Sequence, residues 1–122
     1  MALDKTAILS HTTIQKELVE VPEWGGEVWV KELTGKERDS YEAEIFQIKS
    51  NGRKTETKFM RANIRARLLV LSIVNDDGVR LFEDYELESL GNLGALALDR
   101  LFTVAQRLSG FTEKDVEELE GN

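Results

Sequence analysis

From Ile14 to Val21, and again from Glu27 to Leu33, apolar and polar residues take turns along the chain, which predicts two strands. In the second, Val28 and Val30 point to one side while Glu27, Trp29 and Lys31 point to the other. Between the strands stand the chain's one proline and a glycine pair, in Pro22-Glu23-Trp24-Gly25-Gly26. Proline fixes its own φ and glycine supplies the positive φ that a reversal needs, so the two strands form a hairpin.

Beyond Leu33 the period lengthens. Thr34 is placed to cap a helix, with Glu37 where a capping box wants it, and Tyr41, Ile45 and Ile48 follow as one apolar stripe up to the turn signal Ser50-Asn51-Gly52. A second helix is predicted from about Thr55 to about Val74. Lys54, Lys58, Arg61 and Arg65 fall on one narrow face of it, and Phe59, Ala62, Ala66, Val70 and Ile73 on the opposite side. Asn75-Asp76-Asp77-Gly78 reads as a tight turn, Val79 to Phe82 as a short extended piece and Asp84 to Leu90 as a short helix. A last long helix is expected from Leu93 to Leu108, ended by Ser109-Gly110, and a final short one after Thr112 as cap. Residues 1–13 hold one short helix at most, starting at Asp4.

The last long helix is apolar over more than one face. Leu93, Leu96, Ala97, Leu101, Val104 and Leu108 form a core arc, which Ala95, Leu98 and Phe102 widen to about 200°. Either the helix is sandwiched within the domain or its Leu98–Phe102 flank meets another protein chain. Trp29, on the charged side of its strand, and Trp24, in the hairpin loop, carry the same ambiguity, since tryptophan is enriched at interface hot spots but is also readily covered by a neighbouring element.

Charge sharpens one of these features. The chain carries 23 acidic and 16 basic residues, a net charge of −7, which disfavours a sequence-blind grip on phosphates. Yet between Lys49 and Arg67 there are seven basic residues and one acid, Glu56, a local charge of +6. This stripe is either a docking face for an acidic partner or for phosphates, or a solvated face neutralised by the acidic C-terminal segment around Glu113, Asp115, Glu117, Glu118 and Glu120.

Composition closes several routes to chemistry. With no cysteine there is no disulfide, thiolate metal site or thiol nucleophile, and a single histidine, His11, leaves no pair for a metal or proton relay. Thr34-Gly35-Lys36 has the ending of a phosphate-binding loop, but Val30 stands where its first glycine is required. Asn75-Asp76-Asp77-Gly78 has part of a calcium loop, but Ile73 stands where the first acidic ligand belongs. The longest strongly apolar run, Leu68 to Val74, is far short of the roughly 20 residues of a membrane span. No export or membrane signal is expected, no cofactor or metal is called for, and at 122 residues the chain has the length of one domain.

The segments also resemble, in order, those of a known family. Val19-Glu20-Val21-Pro22-Glu23-Trp24-Gly25-Gly26-Glu27-Val28-Trp29-Val30 and Leu33-Thr34-Gly35-Lys36-Glu37-Arg38-Asp39 are similar to the start of phage tail assembly chaperones. Arg61-Ala62-Asn63-Ile64-Arg65-Ala66-Arg67-Leu68, Asn75-Asp76-Asp77-Gly78, Ala97-Leu98-Asp99-Arg100-Leu101 and Ala105-Gln106-Arg107-Leu108-Ser109-Gly110 continue the likeness over nearly the whole chain. The resemblance implies a non-enzymatic assembly factor of long, non-contractile (lambda-like) tails of phages or prophages. Such a factor coats the tape measure protein, keeps it soluble, helps recruit tail tube subunits, self-associates along the tape, acts in the host cytoplasm and is absent from the mature virion. In many relatives a ribosomal frameshift near the end of the gene adds a tube-binding extension, and this chain would correspond to the unshifted form.

The expectation is therefore an α+β domain spanning residues 1–122, with residues 1–13 flexible or a short helix, an N-terminal β-hairpin or small antiparallel sheet in 14–33, and four to five α-helices packed against it in 34–122. Leu98, Phe102, Trp24 and Trp29 are the candidate partner-binding or self-association residues, and Lys54, Lys58, Arg61 and Arg65 the candidate docking stripe. The competing reading is a small nucleic-acid-associated regulator that uses the same four cations, set back by the acidic net charge.

Overall fold

The alternation between Ile14 and Leu33 folds as the expected hairpin. In a computed structural model that describes residues 1–51, 54–59 and 63–111, β1 (Lys16–Val21) pairs antiparallel with β2 (Gly26–Lys31), from Lys16 opposite Lys31 to Val21 opposite Gly26. A 3-10 turn over Pro22–Trp24 joins them and hands the chain to Gly25 at φ 69°, the left-handed conformation for which glycine is suited. A two-residue strand, β5 (Ile73–Val74), pairs with the other side of β2, so the sheet order is β1-β2-β5. Its inner face carries Val19, Val21, Val30 and Ile73, all buried.

Helices close over that face. The helix α3 (Ile64–Ser72) contributes Ala66, Leu68, Leu69 and Val70 to the core, and α5 (Ala95–Leu108) contributes Ala97, Leu98, Leu101 and Ala105. The helix α2 (Gly35–Ile45) adds Tyr41 and Ile45, and a short α4 (Leu87–Gly91), preceded by a 3-10 turn over Asp84–Glu86, adds Leu90. The α2 start is the expected capping box: the Glu37 amide donates to the Thr34 hydroxyl at 3.1 Å, and the Thr34 amide to the Glu37 carboxylate at 3.0 Å. At the N-terminus, α1 (Lys5–Leu9) is capped by Asp4, whose carboxylate accepts from the Ala7 amide at 2.8 Å, and it leaves Leu3, Ile8 and Leu9 exposed. The architecture is the expected α+β arrangement, a small antiparallel sheet with five helices among the described residues.

Two helical expectations are corrected. The first helix does not continue to Ile48 but ends at Ile45, because Phe46 turns extended and begins β3 (Phe46–Asn51). The second does not start near Thr55: residues Lys54–Phe59 form β4, antiparallel to β3, and helix resumes only at Ile64, after Asn63 at φ 57°. The cause lies in the spacing itself. Residues four apart share a face in a helix and also in a strand, so Lys54 and Lys58 fit both, whereas the alternating Thr55 and Thr57 and the Asn51-Gly52 pair favour strand and reversal. The short helix expected after Thr112 lies outside the described residues.

Candidate interaction surfaces

The sheet and the last helix are tied by ion pairs on the surface. One face of α5 presents Arg100 and Arg107 two turns apart. Arg100 Nη2 reaches Glu23 Oε1 at 2.7 Å, and Arg107 Nη2 donates to both carboxylate oxygens of Glu17 at 2.8 and 2.7 Å. The Arg100 hydrogen bond holds the Glu23 carboxyl below the usual range, and the same contact raises the Arg100 pKa. On the opposite flank, Arg65 of α3 pairs with Asp99 at 3.1 Å and lies 6.0 Å from the Phe102 ring, fastening α3 to α5.

The sequence candidates now have addresses. Trp29 is half-buried: its indole N–H donates to Asp76 Oδ1 at 2.6 Å, and the Lys16 ammonium, which also donates to the Asp76 carbonyl, sits 4.4 Å above its ring. Both its polar edge and its face are therefore used within the chain, to fix the Asn75–Gly78 turn against the sheet. Trp24 stands at the hairpin tip, 40% exposed. Leu98 is 4% exposed and belongs to the core cluster, so of the two readings open for this flank the one inside the domain holds at this position. Phe102 is half-buried against the same core.

The turn of α5 that does face out carries Leu96, 68% exposed, one helical turn before Arg100, with Leu93, 43% exposed, just ahead of the helix. The sequence had placed both in the core arc. An apolar arc of about 200° on a helix does not say which part of it faces inward; the position of α3 decides that.

The basic stripe is divided. Lys54 and Lys58 lie on β4, Arg65 lies on α3 with a carboxylate partner, and Arg61 falls outside the described residues. The four do not share one helix face. In the β3–β4 register Gln47 stands opposite Lys58, Lys49 opposite Glu56 and Asn51 opposite Lys54.

Deeper in the fold, Lys31 is buried beside Glu37 and pairs with it. Burial would raise the Glu37 pKa, but the Lys31 ammonium and the Thr34 amide outweigh it and hold the carboxyl below its ordinary value. The Tyr41 hydroxyl is buried with no hydrogen-bond partner among the described residues, and burial pushes its pKa up. No group of three His, Cys, Asp or Glu side chains among the described residues is arranged to hold a metal ion. No helix among them is long and apolar enough to cross a membrane.

Surfaces of this kind, apolar positions framed by ion pairs, fit contact with other proteins. A family model for phage tail assembly chaperones matches residues 2–122. The chain belongs to that family. The solved structure of the bacteriophage HK97 tail assembly chaperone superposes with a TM-score of 0.57 at 19% sequence identity, covering 86% of this chain and 98% of that one, a likeness of fold. No curated protein sequence matches this chain. Membership assigns it a role in building phage tails, in keeping with the resemblance of its hairpin, helix-start and α5 segments.

Proposed function

We propose that this tail assembly chaperone binds the tape measure protein of a long, non-contractile tail, keeps it soluble, and helps recruit tail tube subunits to it. The work is done in the host cytoplasm by several copies of the chain, which are shed before the virion is complete. The observation that carries the reading is the match of the family model from residue 2 to residue 122. The exposed apolar side chains Trp24, Leu93 and Leu96 support it, because a long amphipathic helix is shielded by apolar contact and no bond chemistry is needed. The role is non-enzymatic and needs no cofactor.

Co-expression with the tape measure protein of the same phage or prophage tests the reading. The soluble yield of that protein rises several-fold when this chain is present. An unchanged yield, with no co-purification, contradicts it.

A further inference from the structure

The outward face of α5 and the tip of the β1–β2 hairpin are joined on the surface of the fold. Leu96, Arg100, Thr103 and Arg107, at helical spacings of four, three and four, all stand exposed on the solvent side of α5. Arg100 reaches across to Glu23, the residue before Trp24, so the hairpin tip is fastened beside this face. Three exposed apolar side chains therefore lie about one ion pair, Leu93 and Leu96 on the helix side and Trp24 on the hairpin side. None of the three belongs to the core cluster or to the hydrophobic residues packed against it.

Beyond Trp24 the surface turns acidic. Glu20 of β1 stands directly opposite Glu27 of β2, both exposed, with no lysine or arginine paired to either among the described residues. Like charges so placed weaken a strand pair. The two flank an open concavity of about 550 Å³ lined also by Pro22, Gly25 and Gly26. The Arg100 pKa, raised chiefly by the Glu23 hydrogen bond, is raised further by the charge of Glu20, so Glu20 lies at the same junction. With Arg100 held by Glu23, a cation to offset the Glu20 and Glu27 pair comes best from an occupant.

This order of chemistry describes that occupant. Exposed leucine and tryptophan side chains around one junction suit the apolar stripe of an amphipathic helix. Carboxylates at one end of the surface call for lysine or arginine at the matching end of that helix, where an ammonium group gains from the indole face as well. The chain's own C-terminal segment does not supply this, since residues 112–122 hold five acids and one lysine.

We propose that the surface formed by Leu93, Leu96 and Trp24 seats amphipathic helical segments of the tape measure protein, each with its apolar stripe across the Arg100–Glu23 pair and its basic end on Glu20 and Glu27. This rests on the chaperone reading for the identity of the partner, and it adds the surface used and the kind of segment recognised.

Substitutions at these exposed positions test it in the full chain, co-expressed with the tape measure protein of the same phage or prophage, with the amount of tape protein that co-purifies as the readout. Leu96→Asp lowers that amount at least about ten-fold. Trp24→Ser, which leaves α5 untouched, gives a comparable loss, so the result does not hang on one helix position. Glu20→Lys/Glu27→Lys lowers it several-fold at low salt and little at high salt, as expected of exposed charges. Leu81→Asp, at an exposed leucine in the loop after β5, leaves it unchanged. Overlapping peptides of the tape protein bind the wild-type chain where an apolar stripe ends in lysines or arginines, and more weakly once those cations are exchanged for glutamate. Folded Leu96→Asp and Trp24→Ser variants that carry tape protein as wild type does overturn this surface and leave the chaperone reading standing. A wild type that carries none overturns both. Loss of self-association by Leu96→Asp in sedimentation velocity would show that the surface joins copies of the chain, and would overturn the proposal too.

Discussion

The two hairpins of this chaperone have strands of equal length and opposite circumstances. The β1–β2 hairpin lays Val19, Val21 and Val30 on α3 and α5, gains a third strand in β5, and is fastened from outside by Glu17–Arg107, Glu23–Arg100 and Trp29–Asp76. The β3–β4 ribbon is paired over six rungs with itself and joins the body chiefly through α2. A two-stranded ribbon alone is marginal in water, because it buries little on either face. The first hairpin therefore belongs to the structural body, whereas the second meets that body chiefly at α2.

That contrast is broken or sharpened most strongly at Leu101, which is fully buried where α5 meets the sheet. Leu101→Ala costs about 2–5 kcal/mol. By amide exchange, the protected amides of β1 and β2 then open about 30- to 5,000-fold more often, while those of β3 and β4 are expected to change little if they exchange by local opening. Equal acceleration in both hairpins would show that they unfold as one unit and remove the distinction.

A smaller effect is expected at the Lys31–Glu37 pair, which anchors the far end of β2 to the start of α2. Glu37→Gln costs about 1–2 kcal/mol at neutral pH, since it weakens the capping box and leaves Lys31 without its charge partner. Because the Glu37 pKa is lowered on folding, its contribution is complete above the ordinary value of 4.5 and disappears as the pH falls through the folded value. The stability difference between variant and wild type, followed by chemical denaturation, narrows on acidification below that point. A difference that stays constant to lower pH would mean that the carboxylate charge is not what holds this corner.

What could be read in the sequence divides along the same line. The β1–β2 hairpin was legible because Pro22 and Gly25 demand a reversal and the flanking alternation has one period only. The start of α2 was legible because Thr34 and Glu37 satisfy each other within three residues, and the Asp4 cap of α1 for a similar reason. Where local signals were degenerate, the reading failed. Lys54 and Lys58 suit a strand as well as a helix, and Ile48 continued an apolar stripe that the backbone abandoned at Phe46. In α5 the helix itself was plain, but its inward face was not, because the choice between Leu96 and Leu98 is made by α3, distant in sequence. Trp29 was flagged for an interface, and its bond to Asp76 joins residues far apart in the chain, so no local pattern announced it.

The central claim is that several copies of this chain coat the tape measure protein. Light scattering on the complex purified from cells that co-express the two, in size-exclusion flow, tests this most directly. The account predicts a particle whose mass requires several copies of the chain per tape measure molecule, with fewer copies on a shortened tape. A one-to-one complex whose composition ignores tape length, or no complex at all, would contradict it.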